Sequence, residues 1–186
     1  MAIVLASQSP RRQELLARIG VEDFKTLSLD IDESYPEGLS PEDTVRYIAK
    51  KKCDAAAALC APDDLIITAD TMVFLGNDRL GKPRDEEDAL RMLRALSGRE
   101  HRVHTGVCIC CGRRAAATVE TTIVHFSPID EADLLAYVRT PEPYDKAGAY
   151  AIQGHAALWC AGIEGCYYNI MGLPVHRTAQ LLREFQ

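Results

Sequence analysis

The sequence predicts an α/β domain in which a mixed β-sheet is flanked by helices. Three observations carry that expectation. Apolar, β-branched runs alternate with segments of helical periodicity along the chain. Some neighbouring runs are separated only by a tight turn, as around Gly112, so hairpins stand beside helical crossovers and the sheet is mixed. The chain also opens on a strand, a tight turn and a helix, because apolar Ala2–Ala6 is followed at once by "SQSPRRQELL".

In that first helix Ser9 stands at the N-cap position and Pro10 suits the first helical residue, whose N–H would be unpaired anyway. Leu15, Leu16 and Ile19 supply the apolar face, and Gly20 ends the helix. Arg11 and Arg12 therefore fall in the first turn. The free backbone N–H groups there carry partial positive charge, and each cation costs roughly 0.3–1 kcal/mol. Such a turn calls for an anion.

A second helix begins at Ser40-Pro41-Glu42-Asp43, which combines a cap, a first-turn proline and a capping acid. Val45, Ile48, Ala49, Ala56 and Leu59 repeat at helical spacing, and Pro62 lies beyond the end. Lys52 falls on this stripe, whereas Lys50 and Lys51 do not. A stripe lysine either snorkels to water at the rim or reaches into a ligand cleft.

"LIITADTMVFL", Leu65–Leu75, reads as a buried strand or strand pair with Asp70 in its middle. A carboxylate there needs a cation, a metal ion or an opening to solvent. Gly76-Asn77-Asp78 makes a turn, and Gly81-Lys82-Pro83 precedes a helix with Leu90, Leu93 and Leu96 inward and Ser97-Gly98 at its close. Lys82 is the nearest candidate counter-charge to Asp70 along the sequence. Residues 102–110 and 115–126 are expected strands, and Ser127-Pro128-Ile129-Asp130 opens a helix to about Val138. Further strands are expected at Leu158–Ile163 and Tyr167–Met171, and Gly172-Leu173-Pro174 leads into a last helix with Val175, Leu181, Leu182 and Phe185 available for burial.

The composition bounds the function. No low-complexity linker or repeat divides the 186 residues, so one domain over 1–186 is expected. No apolar run approaches the roughly 18–20 residues that span a bilayer, and Ala2–Ala6 runs directly into polar residues unlike a signal peptide. A cytoplasmic protein without membrane partners is expected. The seven cysteines are odd in number, and Cys108, Cys110 and Cys111 lack the repeated C-x2-C pairs of a zinc site, so they read as small core residues. The net charge of −6 argues against a nucleic-acid partner while leaving room for a small anion held by a local group of cations.

The residues left unexplained by local structure are Arg11, Arg12, Lys52 and Lys82 on one side and Asp70 and Glu33, in "LDIDES", on the other. Cations beside two carboxylates suit a polyphosphate. The cations neutralise its oxygens and its leaving group, and the carboxylates hold a divalent ion or take a proton from attacking water.

"LASQSPRRQELL" resembles the signature of the Maf family of nucleotide pyrophosphatases. In the same order follow "DIDES", Lys52 in "AKKKC", "ADTMV", "LGKP", "DKAGAYAIQG" and "YYNIMGLP", so the resemblance runs from about Leu5 to Pro174. It implies the mixed α/β fold of inosine triphosphate pyrophosphatases, with a cleft between two lobes. The implied reaction is hydrolysis of nucleoside triphosphates between the α and β phosphates, with a divalent metal, Mg2+ or Mn2+. Carried over, Asp70 is the proton acceptor, with Lys52, Lys82 and Glu33 as further catalytic residues. Ser7, Ser9, Arg11 and Arg12 serve the phosphates, and Glu33 and Asp70 are the metal ligands. Arg12, Thr71 and Gln153 are the specificity positions, and Thr71 with "AYAIQG" resembles the group acting on dTTP and UTP. The alternatives are a 7-methyl-GTP pyrophosphatase and a non-hydrolysing nucleotide sensor linked to septum formation. A homodimer is the expected assembly.

Overall fold

In the computed structural model, which describes residues 1–185, the short strand β1 (Ile3–Leu5) has a parallel partner on each side. These are the two-residue β2 (Lys25–Thr26) and the long β3 (Leu65–Leu75), with Val4 opposite both Lys25 and Ile66. Parallel neighbours need crossovers. Helix α1 (Pro10–Arg18) supplies the first, and α2 (Pro41–Ala57) lies between β2 and β3. Beyond Gly76, whose φ is +61°, β3 folds back antiparallel onto β4 (Asp78–Leu80). The strands β5 (Glu100–Cys111) and β6 (Arg114–Phe126) are joined by a two-residue turn at Gly112, and β6 pairs antiparallel with β7 (Cys160–Glu164). The seven-stranded sheet runs β2-β1-β3-β5-β6-β7, with β4 on β3. It is the mixed sheet expected.

The chain forms two compact units. One comprises Met1–Thr71, Thr105–Glu120 and the chain from Gly172, and the other comprises Met72–His104 and Thr121–Met171. In the first unit α2 buries Val45, Ile48, Ala49, Cys53 and Ala56, the stripe read from sequence. The Ser40 hydroxyl accepts the Asp43 N–H at 3.1 Å, as a cap should. The helix ends at Ala57, so Leu59 lies past it and is 68% exposed instead of joining the stripe. Where α2 meets β5, a Cβ on Gly106 would fall 2.4 Å from the Val45 carbonyl oxygen, so only glycine allows that approach. The final helix α6 (Val175–Arg183) buries Thr178, Leu181 and Leu182.

The second unit holds α3 (Glu86–Leu96), α4 (Glu131–Val138) and α5 (Tyr167–Ile170) around an aromatic core. Phe126 meets Tyr150, and Tyr137 meets Trp159, each edge to face at 4.9 Å between centroids. Tyr167–Met171 was expected as a strand and is instead the short helix α5. Asn169 decides it: its side-chain amide donates to the Val103 carbonyl at 2.9 Å and to Thr122 Oγ1 at 3.0 Å, tertiary bonds that override the strand preference of Tyr and Ile. The expected strand at Leu158–Ile163 begins later, at Cys160, after a 3-10 turn over His155–Trp159.

Asp88 is buried at 4% exposure and fully paired. Its Oδ1 accepts from Arg91 Nη2 and Nε at 2.7 and 3.0 Å, and Oδ2 accepts the backbone and side-chain N–H groups of Arg84 at 3.2 Å. All seven cysteines are free thiols, with Cys53, Cys108 and Cys110 in the core. Among the described residues no helix is long and apolar enough to cross a membrane.

Two outcomes follow. Gly106→Ala should destabilise the protein by roughly 1–3 kcal/mol through overpacking against backbone, read as a lower denaturant midpoint. Bonds from Arg91 and Arg84 hold the Asp88 carboxyl at about 2, below the usual carboxylate range. A depressed value means the stabilisation is complete above about pH 4 and is lost as pH falls toward about 2. Over that window the melting temperature should fall more steeply for the wild type than for Asp88→Asn, and parallel slopes would remove Asp88 as the cause.

Candidate active site

The first turn of α1 carries no acidic residue, and the Ser9 hydroxyl makes no cap bond. The cap expected of Ser9 is therefore not formed. The Ser9 backbone N–H instead donates to Ser7 Oγ at 3.2 Å, which draws Ser7 back over the helix start. Ser7 Oγ also accepts from Arg12 Nη1 at 3.4 Å.

The rest of the Arg12 fork is held by residues far away in sequence. Nε donates to the Gly172 carbonyl at 2.8 Å, and Nη2 donates to Thr71 Oγ1 at 3.1 Å. Thr71 Oγ1 in turn shares a hydrogen bond with Thr105 Oγ1 at 2.9 Å. Gly172 needs its lack of side chain, since its φ of +107° is strained for any other residue. Burial pulls the Arg12 guanidinium below its usual value, the Asp70 carboxylate opposes that, and Arg11 adds to it. A planar cation is thus locked in one orientation at a helix N-terminus.

Lys52 settles the question its position on the stripe raised. Its ammonium lies 2.7 Å from Asp70 Oδ1 and 2.8 Å from Glu33 Oε1, with the Lys52 side chain only 13% exposed. It reaches inward to two acids. Thr68 makes the alignment possible by donating from Oγ1 to the Ala49 carbonyl at 2.7 Å, which pins α2 to β3. Asp70 is two residues beyond Thr68 on the same strand face, and Lys52 is three beyond Ala49 on the same helix face.

Asp70 is 6% exposed, and its Oδ2 has no hydrogen-bond partner among the described residues. Leaving such an oxygen unpaired costs about 1–3 kcal/mol. Asp88, equally buried, has both oxygens filled. The comparison separates a structural aspartate from one that keeps an oxygen open to something else.

Among the described residues no group of three or more His, Cys, Asp or Glu side chains could hold a metal by itself. What the site offers is two carboxylates on one ammonium. That donor set fits a hard divalent ion that takes one or two carboxylates and completes its shell with phosphate oxygens and water.

The sequence-derived residues thus sort into groups. Ser7, Arg12 and Thr71 form one hydrogen-bonded set, joined by the Ser9 backbone, and Glu33, Lys52 and Asp70 form another. Arg11 is half-buried beside Arg12. Lys82 and Gln153 belong to the second unit and are exposed there. Gly81, next to Lys82, accepts the Gly148 N–H at 3.1 Å, which ties its loop to the "DKAGAY" segment. Sequence reasoning missed Thr68, Thr105 and the Gly172 carbonyl. Only the adjacent Thr105-Gly106 pair inside a strand hinted at a close approach.

Residues 2–185 match the family model described as Maf-like protein. The chain belongs to the Maf family. A relative from Pelotomaculum thermopropionicum, named dTTP/UTP pyrophosphatase, is 45% identical over 98% of this chain and 96% of its own. Another of the same name from Xanthomonas euvesicatoria is 46% identical, covering 98% of each chain. Among solved structures, a Ham1 protein of Staphylococcus aureus shares the fold over the whole of both chains at a TM-score of 0.58 and 13% identity. At that identity the likeness concerns the fold alone.

For this Maf-family chain, Lys52→Met should leave two acids without their cation and cost roughly 3–5 kcal/mol of stability together with turnover. Adding Asp70→Asn to it should restore most of the stability and none of the turnover, measured by denaturant titration and product assay. Arg12→Lys keeps the charge and loses the fork, so kcat/KM should drop about 10–100-fold.

Proposed function

We propose that this chain hydrolyses dTTP and UTP to the nucleoside monophosphate and pyrophosphate, clearing pyrimidine nucleotides from the cytoplasmic pool. The names of the curated relatives, near full length on both sides, support the reaction and the pyrimidine preference. The observation that carries the chemistry is Asp70, with Oδ1 engaged by Lys52 and Oδ2 buried and without a partner among the described residues.

Oδ2 is the oxygen that takes the proton of an attacking water. The water oxygen bonds to phosphorus, the α–β anhydride bond breaks, and its electron pair leaves with pyrophosphate. Lys52, having Asp70 as its partner, holds that carboxylate in place and sets a positive charge beside the phosphates. Arg12 and Arg11, at the start of α1, meet the triphosphate where backbone N–H groups also point, so the anion offsets the repulsion of two cations in a first helical turn. The resemblance adds Lys82 on the phosphates.

Asp70 and Glu33 are the residues that would hold a divalent ion, Mg2+ or Mn2+, which when bound would neutralise phosphate charge. For the base, Gln153 has both a donor and an acceptor, as the N3–H and O4 edge of thymine and uracil requires. Thr71 acts through the Arg12 fork.

Product analysis on a panel of nucleoside triphosphates with Mg2+ or Mn2+ tests the reading. Monophosphate and pyrophosphate from dTTP and UTP are expected, with Asp70→Asn slower by about 10²–10⁴-fold. Diphosphate and phosphate would move the cleaved bond, and preference for 7-methyl-GTP would move the specificity. Tight binding without turnover would make the protein a sensor.

A further inference from the structure

The segment Ala151–His155 carries Gln153 at its middle, closed by a backbone bond from the Gly154 N–H to the Ala151 carbonyl at 3.0 Å, and a pair of side chains anchors it at both ends. Tyr137, on α4 and 2% exposed, accepts the Ala151 N–H at 3.3 Å and donates its own hydroxyl to Glu142 Oε1 at 2.9 Å. That same carboxylate oxygen accepts the His155 N–H at 3.2 Å. The two anchors fall two residues before and two residues after Gln153. The His155 ring is stacked on Tyr137 at 6.0 Å between centroids. Glu142 is itself held, since its carbonyl accepts from Lys146 Nζ at 2.8 Å. Burial and the Glu142 carboxylate keep the Tyr137 phenol protonated well past neutral pH, so it remains a donor.

Gly154 completes the arrangement. A Cβ there would lie 2.1 Å from Glu142 Oε1, although its φ of −102° would suit any residue. The glycine is needed for the carboxylate to approach the chain, and backbone freedom plays no part. Everything built around this segment fixes its backbone, while the Gln153 side chain stays exposed.

We propose that Tyr137 and Glu142 are positioning residues for substrate selection, a brace that fixes the backbone from which Gln153 presents its amide to a pyrimidine edge. The inference rests on the reading of Gln153 as the base-selecting residue. The brace sets the backbone position of Gln153 before any nucleotide arrives, so binding need not order the segment, and that advantage exists only for a base whose edge the amide matches.

The test compares kcat and KM for dTTP and dATP in the wild type, Gln153→Ala, Glu142→Ala, Glu142→Gln, Gly154→Ala and the double variant Gly154→Ala/Glu142→Ala. Gln153→Ala should lower the dTTP-over-dATP ratio of kcat/KM. Glu142→Ala and Gly154→Ala should lower it too, by roughly tenfold, through a higher KM for dTTP with kcat changed by less than about threefold. Glu142→Gln keeps an oxygen that can accept both bonds and should retain the ratio. In the double variant Gly154→Ala should add nothing, because the carboxylate its methyl displaces is gone. A purely structural brace would lower melting temperature and leave the ratio intact, and that result overturns the proposal. Additivity in the double variant overturns it as well. If Gln153→Ala keeps the ratio, the brace falls while wild-type release of pyrophosphate still stands. Should the wild type release none, the same ratio read as dTTP and dATP affinities from thermal shift decides the brace separately from the reaction.

Discussion

A lysine ammonium removed from water between two carboxylates organises the first unit. Lys52 is 13% exposed, and an isolated charge at that depth would not be tolerated. It needs Asp70 on β3 and Glu33 in the segment before α2, so a helix, a strand and a loop must meet at one atom. Other features serve that meeting. Thr68 sets the helix register against the strand, and Gly106 lets α2 come close enough to β5. Removing the Thr68 hydroxyl or adding a methyl at Gly106 would shift Lys52 relative to its acids, and the geometry of the ion pair tolerates little of that.

The two buried aspartates differ in how their oxygens are paired. Asp88 accepts from two arginines on both oxygens and has nothing left to offer. Asp70 has one oxygen engaged and the other without a partner among the described residues. Arg12 follows the same logic in reverse. Its guanidinium is oriented by a carbonyl and two hydroxyls, none of them charged. Neutral acceptors orient a cation without neutralising it. Ala149 holds a left-handed φ of 62° beside Gly148 at 73°, a conformation costing an alanine of order 1–3 kcal/mol, and the packed "DKAGAY" turn maintains it.

The local features could be read from residue order alone because each depends on a few neighbours. The Ser40 cap, the turn at Gly112, the inward leucines of α3 and the stripe of α2 all arise from propensity and periodicity, and so does the mixed sheet. The order of motifs from "LASQSPRRQELL" to "YYNIMGLP" pointed to the family by resemblance, and the match over residues 2–185 agrees. Tertiary structure decided the rest. Lys52 on its stripe was compatible with solvent or with a partner, and only the packing of α2 on β3 chose Asp70 and Glu33. Ser9 occupied the cap position, yet its hydroxyl makes no cap bond, and its backbone N–H donates to Ser7 Oγ instead, a local side-chain-to-backbone bond of the kind that competes with capping. Tyr167–Met171 had the composition of a strand and became a helix because Asn169 found acceptors more than forty residues away. Periodicity reports which face of an element is apolar. Which partner a polar group meets on that face depends on long-range approach, and that is set only when the whole chain has folded.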